Sequence, residues 1–486
     1  MSDLTAIGLE LAVMVTALAV LLLDLWTPPE QKRQLGYVAA IAVGVIFVAS
    51  FAVLIPEPRM AFGGMYRLDE LSLYFKRFFL LTALVVLLMS IEIADRIEAG
   101  FPEYCALHLF ALTGMMLAAS AYHFAMVFVA LELIAVTFYI LTSYQRRRLA
   151  SLEAGVKYLV LSAVASAFLV YGIALVFGAS GTLDFARLAD RSNTGSHRML
   201  ELGLLLVFLG LTFKLASVPF QFWAPDVYQG APTPTVAFLA LGSKAAGVAL
   251  LIRVFHEAAP AIGRGWHGLF AGVSAATMLY GVLCAIPQRN LKRLLGYSSI
   301  ANGGLVFMGL STFSAPGLSA VLYFLAAYLF TLGAAFFVLC LVAPTAEDAD
   351  IPALTGLHRR SPLLAAALAL SMVSLAGIPP LAGFFGKFLL IKAALENGPS
   401  WPAMYALASV ALLTAVISIS YYFGVIRAIY WPGETEREVV RDPEPIVLSG
   451  LTRAVLWFCI VGMLWLGIAP DKMLILAEHA VRALAL

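Results

Sequence analysis

About fourteen apolar stretches, most of them roughly 17–25 residues long, succeed one another along this chain of 486 residues. A helix of that length crosses the ~30 Å hydrocarbon core of a bilayer. Lipid offers no hydrogen bonds, so a spanning segment must satisfy its own backbone, which makes these runs helices. They fall near 7–26, 36–55, 71–93, 103–121, 124–143, 154–178, 200–220, 234–255, 267–286, 297–313, 317–342, 362–395, 402–430 and 451–469. The polar stretches between them run about 15–20 residues at most, too short for a soluble domain. Only 12% of the residues are charged, against about 25% in soluble domains. The expected fold is all-α and integral to the membrane.

Met1 to Glu10 carries Asp3 and no Lys or Arg. It lacks the basic n-region of a signal peptide, so Ile7 to Trp26 reads as a retained first span. Loop charges set the orientation. Loops after odd-numbered spans carry Lys32 and Arg33, Arg96, Arg146 to Arg148, Arg289, Lys292 and Arg293, Arg359 and Arg360, and Arg437 and Arg441. Loops after even-numbered spans are poorer in Lys and Arg. The expected arrangement places the odd-to-even loops in the cytoplasm and both termini on the opposite side.

Two spans are interrupted. The seventh runs into Val218-Pro219-Phe220-Gln221-Phe222-Trp223-Ala224-Pro225-Asp226, and the twelfth contains Gly377-Ile378-Pro379-Pro380-Leu381-Ala382-Gly383. Proline removes an N–H and clashes with the preceding turn, so Pro219, Pro225, Pro379 and Pro380 are expected to mark helix breaks. Freed backbone groups at membrane depth need protein partners or a hydrated cavity. Interrupted spans at matching positions point to inverted repeats. The spacing predicts an N-terminal segment over 1–102, five-helix units over 103–256 and 257–430, and a final loop and helix over 431–486.

Within these apolar runs stand four lone charges: Glu132, Lys214, Lys244 and Lys387. A charge at the bilayer centre costs roughly 2.5–3.5 kcal/mol on insertion scales, so all four are candidates for moving protons. Glu132 reads as a proton carrier or as the counter-ion of a lysine; its bland alternative is a hydrogen-bonded packing acid. Lys214 lies a turn before Pro219, where snorkelling to the interface is the alternative. Lys244 lies among small residues in Gly242-Ser243-Lys244-Ala245-Ala246-Gly247. Lys387 belongs in the first turn or two beyond the second break, near the positive end of that half-helix. Lys392 reads as facing an interface or a partner.

Other features are quieter. His108, His123, His256 and His267 read as satisfied structural histidines, and Glu10, Asp24 and Glu92 as carboxylates reaching the headgroups. Cys105, Cys284, Cys340 and Cys459 lie far apart with no metal or disulfide spacing. No Walker A motif, no GxGxxG after a strand and no His/Cys spacing suggests a nucleotide, flavin or metal site. A net charge of +2 gives no reason to expect nucleic acid as a partner.

Four longer motifs resemble a known family. They are Phe213-Lys214-Leu215-Ala216-Ser217-Val218-Pro219-Phe220, the run from Trp223 to Pro234, Lys292-Arg293-Leu294-Leu295-Gly296-Tyr297-Ser298-Ser299-Ile300, and the run from Ser374 to Phe388. Together they are similar to subunit N of bacterial NADH:quinone oxidoreductase, respiratory complex I. The resemblance implies an antiporter-like subunit of the membrane arm with fourteen helices. It implies proton pumping driven by quinone reduction elsewhere in the complex. NADH, FMN, iron–sulfur clusters and quinone would belong to other subunits, with no cofactor in this chain. The implied partners are the other membrane and peripheral subunits, above all adjacent antiporter-like ones, in a bacterial plasma membrane. Carried over, Lys214, modulated by Glu132, takes a proton from the cytoplasmic side, Lys244 relays it and Lys387 releases it. A lysine at the last position fits subunit N better than its relative subunit M, which has an acid there. Gln221 and Asn302 depart from the family, which often has histidine at both places. Two readings stand beside this one: a cation/proton antiporter, alone or as part of a multi-subunit assembly, and a purely structural membrane subunit. Plastoquinone-reducing complexes and membrane-bound hydrogenases share the pattern.

Overall fold

The computed structural model describes residues 3–55, 57–97, 100–192, 198–343, 349–431, 445–482 and 484. Arg437 and Arg441, counted among the loop charges, lie outside the described residues. Every expected span coincides with helix. In chain order these are α1 (Gly8–Asp24), α2 (Lys32–Ser50), α3 (Glu70–Glu92), α4 (Phe101–Ser120), α5 (Phe124–Thr142), α6 (Leu149–Ser180) and α7 (Arg198–Leu215). Then follow α8 (Trp223–Gly230), α9 (Thr233–Ala258), α10 (His267–Ala285), α11 (Leu291–Ser311), α12 (Ala315–Val342) and α13 (Pro362–Ala376). The chain closes with α14 (Ala382–Asn397), α15 (Ala403–Tyr430), α16 (Gly450–Ile468) and α17 (Asp471–Arg482). Among the described residues, eleven helices are by themselves long and apolar enough to cross a membrane.

The interior is built around α9 and α11, whose most apolar windows are wholly buried, whereas those of α6 and α15 are mostly at the periphery. Small residues let the central helices approach. A Cβ on Gly247 would sit 2.9 Å from the Cβ of Lys214, so glycine is what allows α9 to press against α7 at the lysine. Just before Lys244 the helix widens into a π-turn at Leu239–Ser243, and a second lies at Arg253–Ala258.

Both interrupted spans are real breaks with the same local construction. Helix α7 ends as Ala216 turns to φ 53°, with Ala216 N–H donating to Phe213 O and Ser217 N–H to Thr212 O. Helix α13 ends as Gly377 turns to φ 80°, with Gly377 N–H donating to Ser374 O and Ile378 N–H to Val373 O. Each is a Schellman closure, which satisfies carbonyls that a helix end would otherwise leave bare. Pro219, Pro379 and Pro380 lie in the gaps that follow. Pro225 does not: it sits in the first turn of α8, where a missing N–H removes no intrahelical bond.

Two elements are absent from the sequence reading. A short antiparallel hairpin pairs Arg59–Ala61 with Tyr66–Leu68. Helix α17 is amphipathic, burying Ala477, Ala480 and Val481 while exposing Lys472, Glu478 and Arg482.

Candidate functional site

The three lysines are all in the interior, with Lys214 and Lys244 6% exposed and Lys387 8%. Lys214 occupies the last turn of α7. Its ammonium finds no hydrogen-bond partner and lies 5.6 Å from the ring of Phe213 and 5.9 Å from that of Tyr158, distances at which aromatic faces attract a cation. Ser217 Oγ and Gln221 Oε1, in the break that follows, are also buried without partners. Buried polar groups are nearly always bonded, so this concentration of bare ones marks the first break as a place built for something to arrive.

Glu132 is half-buried on α5. It forms no ion pair with Lys214; its Oε1 accepts from Ser166 Oγ on α6 at 2.6 Å. The two charges nonetheless lie within electrostatic range of one another. The sequence suggests a counter-ion, and the structure places it at longer range, with a serine holding the carboxylate in place.

Lys244 is firmly held. Its Nζ donates to Ser299 O at 2.8 Å and to Ser299 Oγ at 2.5 Å, and Ser299 Oγ lies 3.0 Å from Tyr228 OH. Beside it a cavity of about 20 Å³ is lined by Lys244, Ser299, Asn302 and Tyr328 among others, room for about one water molecule. From Asn302 the polar run continues: its Nδ2 donates to Ser298 O at 3.0 Å, and Ser298 Oγ meets Tyr422 OH at 2.5 Å. Asn302, one of the two departures from the resembled family, therefore still holds a place in this run.

Lys387 lies in the second turn of α14. Rather than facing the positive end of its own half-helix, it reaches back across the break and donates to Leu375 O at 2.5 Å. That oxygen is one of the last carbonyls of α13, at the negative end of its dipole. Around it Ser374 Oγ meets Thr331 Oγ1 at 2.9 Å and accepts from Gly383 N–H at 3.1 Å. Direct hydrogen bonds among the described residues join the lysines' surroundings in pieces, not in one continuous file. Lys392 is exposed and 3.7 Å from Glu396.

Outside the first break, α6, α8 and α11 frame an open pocket of about 490 Å³. Asp226 at its wall accepts from Lys157 at 2.6 Å and from Arg293 Nη1 at 2.5 Å. This ionic gate stands on the side expected to be cytoplasmic, next to the half-helix that follows Lys214.

The sequence reading missed a second charged group, near the end of the bundle that carries the N-terminus. Lys76 is fully buried, 2.9 Å from Glu10 Oε1 and 2.6 Å from Tyr66 OH. Glu10 is thus an interior partner and does not reach the headgroups. Beside this pair Arg253 grips Asp69 with two hydrogen bonds of 2.8 and 2.6 Å and Glu257 with one of 2.8 Å, while Arg67 reaches Glu257 at 2.9 Å. Asp69 also caps α3 through Ser72. Burial, the largest influence on its carboxyl, pushes the pKa up, but Arg253, the Ser72 amide and Arg67 together hold it below the usual carboxylate value. A lysine and an arginine inside long apolar runs are the signal that identifies this cluster.

Of the histidines, His108 Nδ1 bonds Tyr104 O, His123 caps α5, and His267 Nδ1 bonds Ser311 O. His256 departs from expectation: both ring nitrogens are buried without partners, and its ring stacks on Phe313 at 4.4 Å. The four cysteines are free thiols. Among the described residues no three His, Cys, Asp or Glu side chains are grouped to hold a metal ion.

Comparison with known proteins places this arrangement. Residues 121–420 match the family described as NADH:quinone oxidoreductase/Mrp antiporter, TM. The chain is 36% identical, over 98% of its own length and 98% of the relative's, to NADH-quinone oxidoreductase subunit N of Desulforamulus reducens. It is similar to a chain of respiratory complex I from Thermus thermophilus with bound aureothin, with TM-score 0.80 and 34% identity over 97% of this chain and 99% of that one. A chain of the Mrp complex from Dietzia shares the fold, with TM-score 0.85 and 22% identity over 99% of this chain and 97% of that one.

Proposed function

The chain belongs to the NADH:quinone oxidoreductase/Mrp antiporter membrane family, on its subunit N branch, and from that premise we propose that it translocates protons within the membrane arm of NADH:quinone oxidoreductase. The observation that carries the reading is the placing of three buried lysines at two matched helix breaks and on the helix between them, with bare polar atoms at the first break. Lysine suits the task because its ammonium can give up a proton when its surroundings change, which arginine does not do.

In this reading the pocket at Asp226, Lys157 and Arg293 is the inlet. Lys214, biased by Glu132 through space, accepts the proton at the break. Lys244, Ser299, Asn302 and the neighbouring tyrosines pass charge across the bundle through bonded groups and small hydrated gaps. Lys387 delivers it to the other side. Spans 4–8 and 9–13 act as the inverted units over 103–256 and 257–430. The redox groups, NADH site and quinone site lie in other subunits, and adjacent antiporter-like subunits are the direct partners. The membrane is the bacterial plasma membrane with the N-terminus outside. Labelling by an impermeant thiol reagent, from outside intact cells, of a cysteine placed beside Arg147 would refute that orientation.

The alternative is cation/proton exchange without a redox partner, as the fold shared with the Mrp chain permits. Purification of the native assembly separates the two. Flavin and iron–sulfur subunits should copurify, and Lys214→Ala should lower NADH-driven proton pumping while NADH oxidation by artificial acceptors continues. Cation exchange in liposomes by an assembly lacking flavin subunits would overturn the proposal.

A further inference from the structure

Away from the lysines, at the end of the bundle that carries the N-terminus, α2, α3, α12, α16 and α17 surround a groove of about 260 Å³. Its walls are almost wholly apolar. Phe47 and Phe51 come from the end of α2, Phe78 and Leu81 from α3, Leu329 and Phe330 from α12. Arg77 is the single charged residue in the lining. Its Nη2 donates to Ser50 O at 3.0 Å, its Cζ stands 4.6 Å from the ring of Phe51, and its Nε is buried without an acceptor. Glu70, two turns earlier on α3, is the carboxylate whose field reaches it, but no ion pair with Arg77 forms among the described residues.

The depth of that guanidinium follows from its neighbours. Ser50 is the last residue of α2, and the groove's far wall is Trp465 and Leu466 at the end of α16 with Met473 and Leu476 on α17. An amphipathic helix with charged residues along one face and apolar ones along the other lies in the plane of a membrane interface. Tryptophan at a helix end marks the same level. Arg77 therefore snorkels to headgroup depth, while Leu329 and Phe330 extend the groove from there toward the middle of α12.

We propose that this groove binds one acyl chain of an anionic phospholipid, with the phosphate held by Arg77. A guanidinium offers five donors in a planar fork that matches phosphate oxygens, and here one donor is committed to Ser50 while the buried Nε awaits an acceptor. The aromatic walls exclude water from the tail, and the cation selects the head. A zwitterionic lipid would fill the same apolar space without answering the arginine.

The test uses the whole complex purified from membranes, stripped of lipid and returned to nanodiscs. Phosphatidylglycerol and phosphatidylcholine carrying the same photoactivatable acyl chain are compared, and labelled peptides are mapped. Phosphatidylglycerol should label the peptides of Phe47, Phe78 and Leu329 about fivefold more than phosphatidylcholine does, the ratio one basic residue contributes beside anionic lipid. Arg77→Gln should reduce that preference to none, and Arg77→Lys should keep part of it. Leu329→Trp, which fills the groove and leaves the charge, should lower labelling by both lipids. Equal labelling by the two lipids would make the groove a general apolar surface and overturn the proposal. Absence of label from either would mean that a neighbouring subunit covers it, and would overturn it equally.

Discussion

Removing one member of the buried Glu10–Lys76 pair should be far more harmful than removing both. Lys76 is fully buried and Glu10 is 2% exposed, so neither charge can turn to water if its partner disappears. Breaking such a pair costs about 3–5 kcal/mol, because the survivor is left uncompensated. Replacing both members by neutral groups of similar size is often close to neutral. Glu10→Gln leaves Lys76 with only the Tyr66 hydroxyl at 2.6 Å; Lys76→Met leaves a buried carboxylate whose Oε2 already lacks a partner. Each single change should cost roughly 3–5 kcal/mol, and the double variant roughly 0–2 kcal/mol, a coupling of several kcal/mol. A loss of 1 kcal/mol moves Tm by about 2–4 °C in a chain of 150–250 residues, and by less in a longer one, so each single variant should melt on the order of 5 °C lower. The assay is the temperature at which the subunit is lost from heated, purified complex, followed by quantitative immunoblot. Additive losses in the double variant would refute the pairing. If the double variant is stable but pumps fewer protons per electron at permissive temperature, the pair belongs to the proton route instead of the scaffold.

Glu132→Gln and Lys214→Ala should be non-additive in pumping rate, the double variant exceeding the product of the singles, because the charges interact through space without a bond between them; strict additivity would remove Glu132 as the lysine's modulator. Lys387→Arg should assemble and pump poorly, since a guanidinium keeps its proton near neutral pH; wild-type pumping would reduce Lys387 to a fixed charge. The Asp69 carboxyl is held below its ordinary value by Arg253, so its contribution to stability is complete above about pH 4. That contribution disappears as pH falls through the depressed folded-state value, so Asp69→Asn should lower thermal stability at neutral pH and flatten its loss on acidification. An unchanged acid limb would count against the tie.

What could be read in the sequence was whatever a single segment decides alone. Long apolar runs have one solution in lipid, so each expected span coincides with helix. Prolines and glycines at 218–220 and 377–383 announce breaks because their effect is on their own backbone. Relations between segments were not legible. Ser166 as the partner of Glu132, and Leu375 as that of Lys387, depend on which helices meet and at what height. Lys76 and Arg253 went unread for the opposite reason: each stands in an apolar run, but close enough to its end that the headgroups seemed within reach. Only the packing of α1, α3 and α9 turns those positions inward. Helix α17 is short and polar on one side, which no span-length criterion detects.

The hydrogen bond from Lys387 to Leu375 makes one side chain both the charge carrier and the fastener between α13 and α14. A strut that must change its charge to do its work cannot hold the same tension throughout a cycle. Each time the ammonium gives up its proton, the joint between the half-helices loses a charge-assisted contact of about 1.5–3 kcal/mol. By reciprocity, any force that spreads the two half-helices apart alters the affinity of that lysine for its proton. A pull transmitted along α13 from a neighbouring subunit is thus a way to address the proton without touching it, and the second break is a mechanical transducer as much as a polar gap.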